Sequence, residues 1–401
     1  MINLYLNRYE EKIYNGEYGE ILSKAIKIIV KIGESVGAKR LIKISHAHIS
    51  GVGYNNIGEA GLSLLRDLAS SGHRFSVFTT ANPGSVDLDS HRYFPYSEDF
   101  LRKQLEILDH YKALGVETFT CAPYHIREPR YREHLSWAES NAVIIANSVY
   151  GARTNKESGL TALFSALIGR TYYGGLHLKR ERYPRIEIFI KNINRDYVSI
   201  GLLGLYIGKI SEDKIPVVKG LEKIEREKLK TFLAAFGTTS SQGMIYIPGV
   251  SREDYKESDY KRYIEDKIEI DSREIKIFYE EQENLCEDPE AFLIGCPHVS
   301  PDLILEIKSM LDKIGGEAKK PVWLIIPPDY EKDPFIKNLL DKLREKGIIV
   351  LKGICPVISP LNEIGYKCIG TISSKAFFYM PRLAKVKISL MDLPTIISKA
   401  F

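Results

Sequence analysis

Glutamine is nearly missing from this 401-residue chain. Three occur, beside 24 tyrosines and an abundance of lysine, glutamate and isoleucine, a composition that leans toward proteins of hot environments. Cysteine is sparse too: the five residues are odd in number, and no two form a C-x-x-C pair. That argues against a disulfide framework and against a structural zinc site of ordinary spacing, so reduced thiols are expected. No apolar run approaches the length of a membrane span, and Arg8, Glu10, Glu11 and Lys12 stand where a signal peptide needs an apolar core. The expectation is a cytoplasmic protein without membrane contact. An excess of one charge is lacking as well: 56 Lys and Arg nearly balance 52 Asp and Glu, and no basic block resembles a nucleic-acid arm. A local basic pocket for an anionic small molecule remains compatible with this balance.

What is present is a chain too long for one hydrophobic core, so two or three lobes around a cleft are expected. Short β-rich runs alternate with helical patterns, which predicts an α/β protein with parallel or mixed sheets flanked by helices. Strand-like runs fall at Leu41 to Ile44, Phe75 to Phe78, Glu117 to Thr120, Val143 to Ala146, Ile186 to Ile190, Ile275 to Tyr279, Phe292 to Ile294, Val322 to Ile326, Ile348 to Leu351 and Val386 to Leu390. His46 to Asn56 reads as a loop, with Asn56 and Glu59 as cap and capping box of a helix through Leu68. Leu221 to Phe236 reads as helical. The lobes are expected at 1–69 and 151–289 (together the first), 70–150 (the second, with Cys121) and 290–401 (a C-terminal α/β lobe with Cys296 and Cys355).

Three cysteines share a signature. Cys121, Cys296 and Cys355 each follow a β-rich run and precede a proline by one or two positions, at Pro123, Pro297 and Pro356. Proline stops the strand, presenting the thiol at a sheet edge, where ligands bind in open α/β sheets. Cys286 and Cys368 lack the pattern. Three thiolates suit an iron-sulfur cluster with one iron left free of protein ligands, or zinc; three buried, unligated cysteines would show the same spacing.

Other candidates are weaker on their own. Gly51-Val-Gly53 precedes a helix and offers backbone N–H donors to an anion, though a plain strand-to-helix turn explains it too. Polar residues crowd around Ala142 to Ala146: Glu139 and Ser140 before it, Arg153 after it, the last a candidate anion clamp or a member of an internal hydrogen-bond network. His46, His48, His177 and His298 read as structural. Ser373-Ser-Lys375 is a short polar element with a cation for an anionic group.

As an ordered set these motifs resemble the aconitase X family. The carriers are His48-Ile-Ser-Gly-Val52, Thr79-Thr-Ala-Asn-Pro-Gly84, Cys121-Ala-Pro-Tyr124, Trp137-Ala-Glu-Ser-Asn141, Asn147-Ser-Val-Tyr-Gly-Ala-Arg-Thr-Asn155, Gly174-Gly-Leu-His177, Gly295-Cys-Pro-His-Val-Ser300, Cys355 and Ser373-Ser-Lys375. The resemblance implies a multi-lobed, aconitase-like catalytic subunit whose Cys121, Cys296 and Cys355 hold an iron-sulfur cluster, 4Fe-4S with one open iron. It also implies that Gly51, Val52, Asn82, Pro83, Glu139, Ser140 and Lys375 line the substrate site; with Gly53, Arg153 and Ser373 added from the reading of the residues themselves, these are the expected substrate contacts, Glu139, Ser140 and Lys375 in catalytic roles. The chain departs from the family pattern at Gly53, where serine is common, at Gly353-Ile-Cys355, which lacks an Asp-Thr, and at Ile372, where asparagine is usual.

Two activities compete within the resemblance. Similar bacterial members dehydrate cis-3-hydroxy-L-proline, commonly as one longer fused chain. Archaeal two-subunit members convert (R)-5-phosphomevalonate to trans-anhydromevalonate 5-phosphate in a modified mevalonate pathway. No small swivelling domain with a Gly-Ser-Ser loop is found here, so the expectation is a hydro-lyase large subunit of the second type. Its partners would be a small swivelling-domain subunit and a phosphorylated hydroxy acid. The other class to weigh is a metal protein whose cluster only staples lobes or carries electrons.

Overall fold

The computed structural model describes residues 4–87, 94–253, 255–282 and 285–401. Near the N-terminus, β1 (Leu41–Lys43) pairs antiparallel with β5 (Arg170–Tyr172). Between them, β2 (His46–Ile49), β3 (Phe78–Ala81) and β4 (Ser136–Trp137) form a parallel sheet with β2 in the centre. All four residues of β2 are buried. The expected loop at His46 is therefore a central strand: its histidines look polar in sequence but sit in the core, with ring nitrogens bonded to Thr80 of β3.

A second parallel sheet holds β6 (Ile186–Ile190) between β7 (Pro216–Lys219) and β8 (Asp266–Ile270). The third is five-stranded and wholly parallel: β9 (Ala291–Ile294), β10 (Val322–Ile326), β11 (Ile348–Lys352), β12 (Cys368–Thr371) and β13 (Lys387–Leu390), in the order β11-β10-β9-β12-β13. Every residue of β9, β10 and β12 is buried, as expected when helices cover both faces of a parallel sheet. The chain winds outward from β9 to β11 and then returns to β12 on the other side. Such a reversal opens a crevice at the strands' carboxyl ends. Cys296 follows β9 and Ser373 follows β12, at that point.

Two expected strands are helices. Val143 to Ala146 lies in a helix, Ser140–Ser148, buried along all but its first residue. A short apolar run buried all round cannot be told from a core strand by periodicity. Ile275 to Tyr279 lies in the helix Ser272–Glu280, whose Asp271 accepts from the Arg273 amide while Glu274 accepts from the Asp271 amide, and which buries Ile275 and Phe278 at i, i+3. The helix expected from Asn56 begins earlier, Tyr54–Ser70, with Gly53 at its cap and a break at Gly58 (φ 55°).

The helices Tyr197–Ile210 and Arg226–Thr239 pack closely because Gly204 and Gly208 of the first leave no Cβ against the backbone of the second. Gly201 of the same helix does a different job: a Cβ there would lie 2.1 Å from Ser374 Oγ, so its bareness lets the Ser373-Ser-Lys375 turn settle against this helix. The helix Arg226–Thr239 then lies against the helix that starts at Ser140, since a Cβ on Gly237 would be 3.1 Å from Ser140 O. Among the described residues no helix is long and apolar enough to cross a membrane.

The thiols are not all reduced. Cys286 and Cys368 form a disulfide across 82 residues, stapling the entry to the last sheet onto β12. Sequence spacing missed it because the two cysteines are distant in the chain; the Cys286 amide donates to Ile388 O of β13 (3.2 Å), which brings Cys286 to the sheet. Cys121, Cys296 and Cys355 are free.

Candidate active site

The carboxyl ends of β2, β3 and β4 supply Gly51 to Gly53, Asn82 and Pro83, and Glu139 in turn. The carboxyl ends of β9, β11 and β12 supply Cys296, Cys355 and the Ser373-Ser-Lys375 turn. The two edges meet directly: Gly84 bridges Ile354, and the Cys355 amide donates to Gly84 O (2.8 Å).

Glu139 precedes the helix Ser140–Ser148 and is 8% exposed. Its Oε2 accepts from Asn82 Nδ2 (2.8 Å), and its Oε1 accepts from Asn141 Nδ2 (2.8 Å) and from the Lys375 ammonium. Ser140 Oγ stands 3.4 Å from Oε1. Burial alone would raise this carboxyl's pKa, but the Lys375 charge and these hydrogen bonds outweigh it and hold it at about 2. Lys375, near the start of the helix Ser374–Leu383, is buried too; that opposes its charge, yet Glu139 holds its pKa above the ordinary lysine value. The result is a locked carboxylate and ammonium from opposite walls of the cleft.

Asn141 links this pair to the first cysteine, because its Nδ2 also donates to Cys121 O (3.0 Å) while its Oδ1 accepts from Tyr124 OH (3.1 Å). Ser373 Oγ donates to Cys296 O. His298, read from sequence as structural, ties all three cysteine loops. Its amide donates to Cys121 Sγ (3.2 Å), its Nδ1 meets Thr120 Oγ1 (3.2 Å) and its Nε2 meets Ile354 O (3.1 Å). The carbonyl can only accept, so Nε2 bears the hydrogen. Burial pushes the ring's pKa down to about 4, which keeps Nδ1 bare for the Thr120 hydroxyl. Lys230, from the helix Arg226–Thr239, donates to His298 O (2.8 Å) and braces the same loop. Neither role carries a local sequence signal, since both depend on residues far apart in the chain.

Burial raises the pKa of all three free thiols, that of Cys355 to about 12. Among the described residues no three His, Cys, Asp or Glu groups are placed to hold a single metal ion. The donor set of three unpaired thiols on interlocked loops fits a multi-iron sulfur cluster, in which each thiolate takes a different iron and stabilises its own ionised form by that bond.

The Gly51–Gly53 loop is clamped by Gln104, one of the three glutamines: its Nε2 donates to Val52 O (3.0 Å) and its Oε1 accepts from the Tyr54 amide (2.9 Å). Gly51 is in the left-handed region (φ 80°). At Gly53 a Cβ would sit 2.5 Å from Ile358 of the Cys355 loop and 2.7 Å from Ser85 Oγ. A serine here would require the ends of the Ile358, Ser85 and Asn56 side chains to shift. Pro83 is buried beside Asn82.

Arg153 is held elsewhere. Its guanidinium lies 3.7 Å from Glu253, in a buried group with Arg182, which pairs with Glu253 at 2.6 Å and donates to Asn147 Oδ1 (2.9 Å). Its carboxylate partner and burial make it part of an internal network rather than a free clamp for an anion.

Family models match three consecutive stretches: the aconitase X first domain over residues 3–180, its second domain over 184–280 and its third over 289–401. The chain is 36% identical, over 97% of its own length and 98% of the other's, to the phosphomevalonate dehydratase large subunit of Methanocaldococcus jannaschii. With the protein of the same name from Thermococcus kodakarensis it shares 35% identity over 99% and 100%. A cis-3-hydroxy-L-proline dehydratase of Hypocrea jecorina is 29% identical over 95% of this chain but only 66% of its own. Among solved structures, the holo-form of Thermococcus kodakaraensis aconitase X superposes with a TM-score of 0.88 at 33% identity, covering 99% of this chain and 100% of that one. The interlocked cysteine loops and the buried Glu139–Lys375 pair therefore sit on a scaffold shared over its whole length with the archaeal proteins, and the chain belongs to the aconitase X family.

Proposed function

We propose that this chain is the catalytic large subunit of a two-subunit hydro-lyase that converts (R)-5-phosphomevalonate to trans-anhydromevalonate 5-phosphate. The observation that carries the chemistry is the ionised Glu139, locked by Lys375, Asn82 and Asn141 beside three unpaired thiols. The choice of substrate is supported by full-length similarity to archaeal large subunits of that name, against shorter or weaker coverage of the longer hydroxyproline dehydratases.

The reaction removes the tertiary hydroxyl and a proton alpha to the carboxylate, releasing water and leaving a carbon–carbon double bond. Cys121, Cys296 and Cys355 would hold an iron-sulfur cluster, 4Fe-4S, whose open iron would supply a Lewis acid for the departing oxygen. Lys375 and the backbone donors of Gly51 to Gly53 compensate the anionic groups of the substrate, with Asn82, Pro83, Ser140 and Ser373 shaping the pocket. The base that takes the alpha proton is assigned, by analogy with aconitase, to a serine of the small swivelling subunit that would close the cleft, with Glu139 the in-chain alternative for base or acid. Electron transfer is the less favoured reading, because it gains nothing from a buried carboxylate–ammonium pair beside the cysteine loops.

Anaerobic reconstitution with iron and sulfide, followed by assay with and without the small subunit, tests this. Turnover of (R)-5-phosphomevalonate by the pair and near inactivity of the chain alone are expected. Turnover of cis-3-hydroxy-L-proline instead would overturn the substrate, and robust turnover by the chain alone would move the base to Glu139.

A further inference from the structure

Glu139 is gripped by Asn82, and Asn82 is itself gripped from behind. His48 Nε2 lies 2.8 Å from Asn82 Oδ1, His48 Nδ1 lies 2.7 Å from Thr80 Oγ1, and Thr80 Oγ1 lies 2.9 Å from His46 Nε2. The line behind Asn82 is buried, with His46, His48 and Thr80 at 0% exposure.

Its polarity can be read from one end. The carboxylate of Glu139 only accepts, so the Asn82 atom facing it at 2.8 Å is the amide nitrogen. The amide oxygen then faces His48 and also only accepts, so His48 Nε2 carries hydrogen. With His48 neutral, its Nδ1 is bare and receives the single Thr80 proton. Thr80 in turn accepts from His46 Nε2, leaving His46 Nδ1 as a bare lone pair, and that atom has no partner among the described residues. Burial presses the pKa of both rings down, to about 4 for His48, consistent with neutral imidazoles throughout. Reversing any link would set an amide oxygen against the carboxylate, two hydrogens against each other, or two lone pairs against each other.

We infer that His48 is a positioning residue for the dehydration: through its Nε2 hydrogen it fixes which way the Asn82 amide points, and so presents that amide's donor to Glu139. Thr80 and His46 fix the tautomer of His48. Without the line, the Asn82 amide is free to flip, and the carboxylate loses one of its two amide donors while keeping Lys375. The role deepens the reading of the reaction above and rests on it for its kinetic arm only.

The test has two arms. In the full chain carrying 15N-labelled histidine, the ring signals lost in His48→Gln identify His48, and near neutral pH they should show hydrogen on Nε2 and a bare Nδ1. A His48 protonated at Nδ1, or at both nitrogens, overturns the inference whatever the substrate proves to be. In the reconstituted two-subunit enzyme, His48→Leu should lower kcat for (R)-5-phosphomevalonate about tenfold to hundredfold, with KM and cluster absorbance little changed. His48→Gln, whose amide nitrogen can stand where Nε2 stood and donate to Asn82, should recover most of that loss. Equal impairment in both variants, or wild-type kcat in His48→Leu, overturns the inference. Should His48→Leu fail to fold, the tautomer measurement decides. A wild-type enzyme that ignores phosphomevalonate while its His48 shows the expected tautomer would refute the substrate alone.

Discussion

Replacing Lys375 by methionine should invert the way Glu139 couples stability to pH. In the native chain the carboxyl is held near 2, below its usual 4.5. A depressed acid contributes stability that is fully present above the unfolded value and is lost as pH falls from 4.5 toward 2. One pH unit is worth about 1.4 kcal/mol, so the contribution amounts to roughly 3 kcal/mol. Methionine keeps the stem of Lys375 but removes the charge. Burial, the largest single influence on Glu139, is then opposed only by two amides, and the carboxyl moves above 4.5. Its contribution is now present below the unfolded value and is lost as pH rises through the new folded one. At neutral pH the variant should be destabilised by roughly 3 to 5 kcal/mol, the cost of stranding a buried charge, and Glu139→Gln in the same background should restore much of it. Urea unfolding from pH 3 to 8 of wild type, Lys375→Met, Glu139→Gln and the double variant isolates the Glu139 term by subtraction. Curves of the same slope for wild type and Lys375→Met, or a double variant no more stable than the single, would refute the reasoning.

Three further outcomes are expected. Cys121→Ala, Cys296→Ala and Cys355→Ala should each abolish cluster absorbance after anaerobic reconstitution, whereas Cys286→Ala and Cys368→Ala should retain it; equal loss at all five positions sinks the ligand assignment. Opening the Cys286–Cys368 bridge should lower unfolding stability by roughly 2 to 4 kcal/mol, because it closes a long loop; unchanged stability with both thiols free by mass spectrometry contradicts it. Burial lifts the pKa of Glu157 to about 7 against its hydrogen bonds from Tyr172 and Asn155. Its share of stability, present below 4.5, should therefore fall by roughly 3 kcal/mol as pH rises through 7, and Glu157→Gln should flatten that decline; an unaltered profile excludes the effect.

Much of the α/β plan was legible because it is local. Val322 to Ile326 and Ile348 to Leu351 are apolar runs of strand length bounded by turn residues, and they pair as neighbouring parallel strands. The positions of Cys296 and Cys355 just beyond strands were legible for the same reason, proline marking where each strand had to stop. The helix at Ser140–Ser148 was not, since a segment buried all round carries no period. Nor was β2, whose histidines look polar until Thr80 satisfies them.

The sequence by itself determined which chemical groups are available and that they flank apolar runs: three cysteines sharing one strand-then-proline signature, a glutamate before a short apolar run, a lysine in a short polar element near the C-terminus. Tertiary structure alone decided who meets whom. Glu139 and Lys375 are 236 residues apart, Thr120 and His298 are 178 apart, and Cys286 finds Cys368 across 82. Pairings of that range depend on how separate sheets face one another across the cleft, and a hydrogen bond or charge pair formed there leaves no periodicity, cap or turn signal in either stretch of chain.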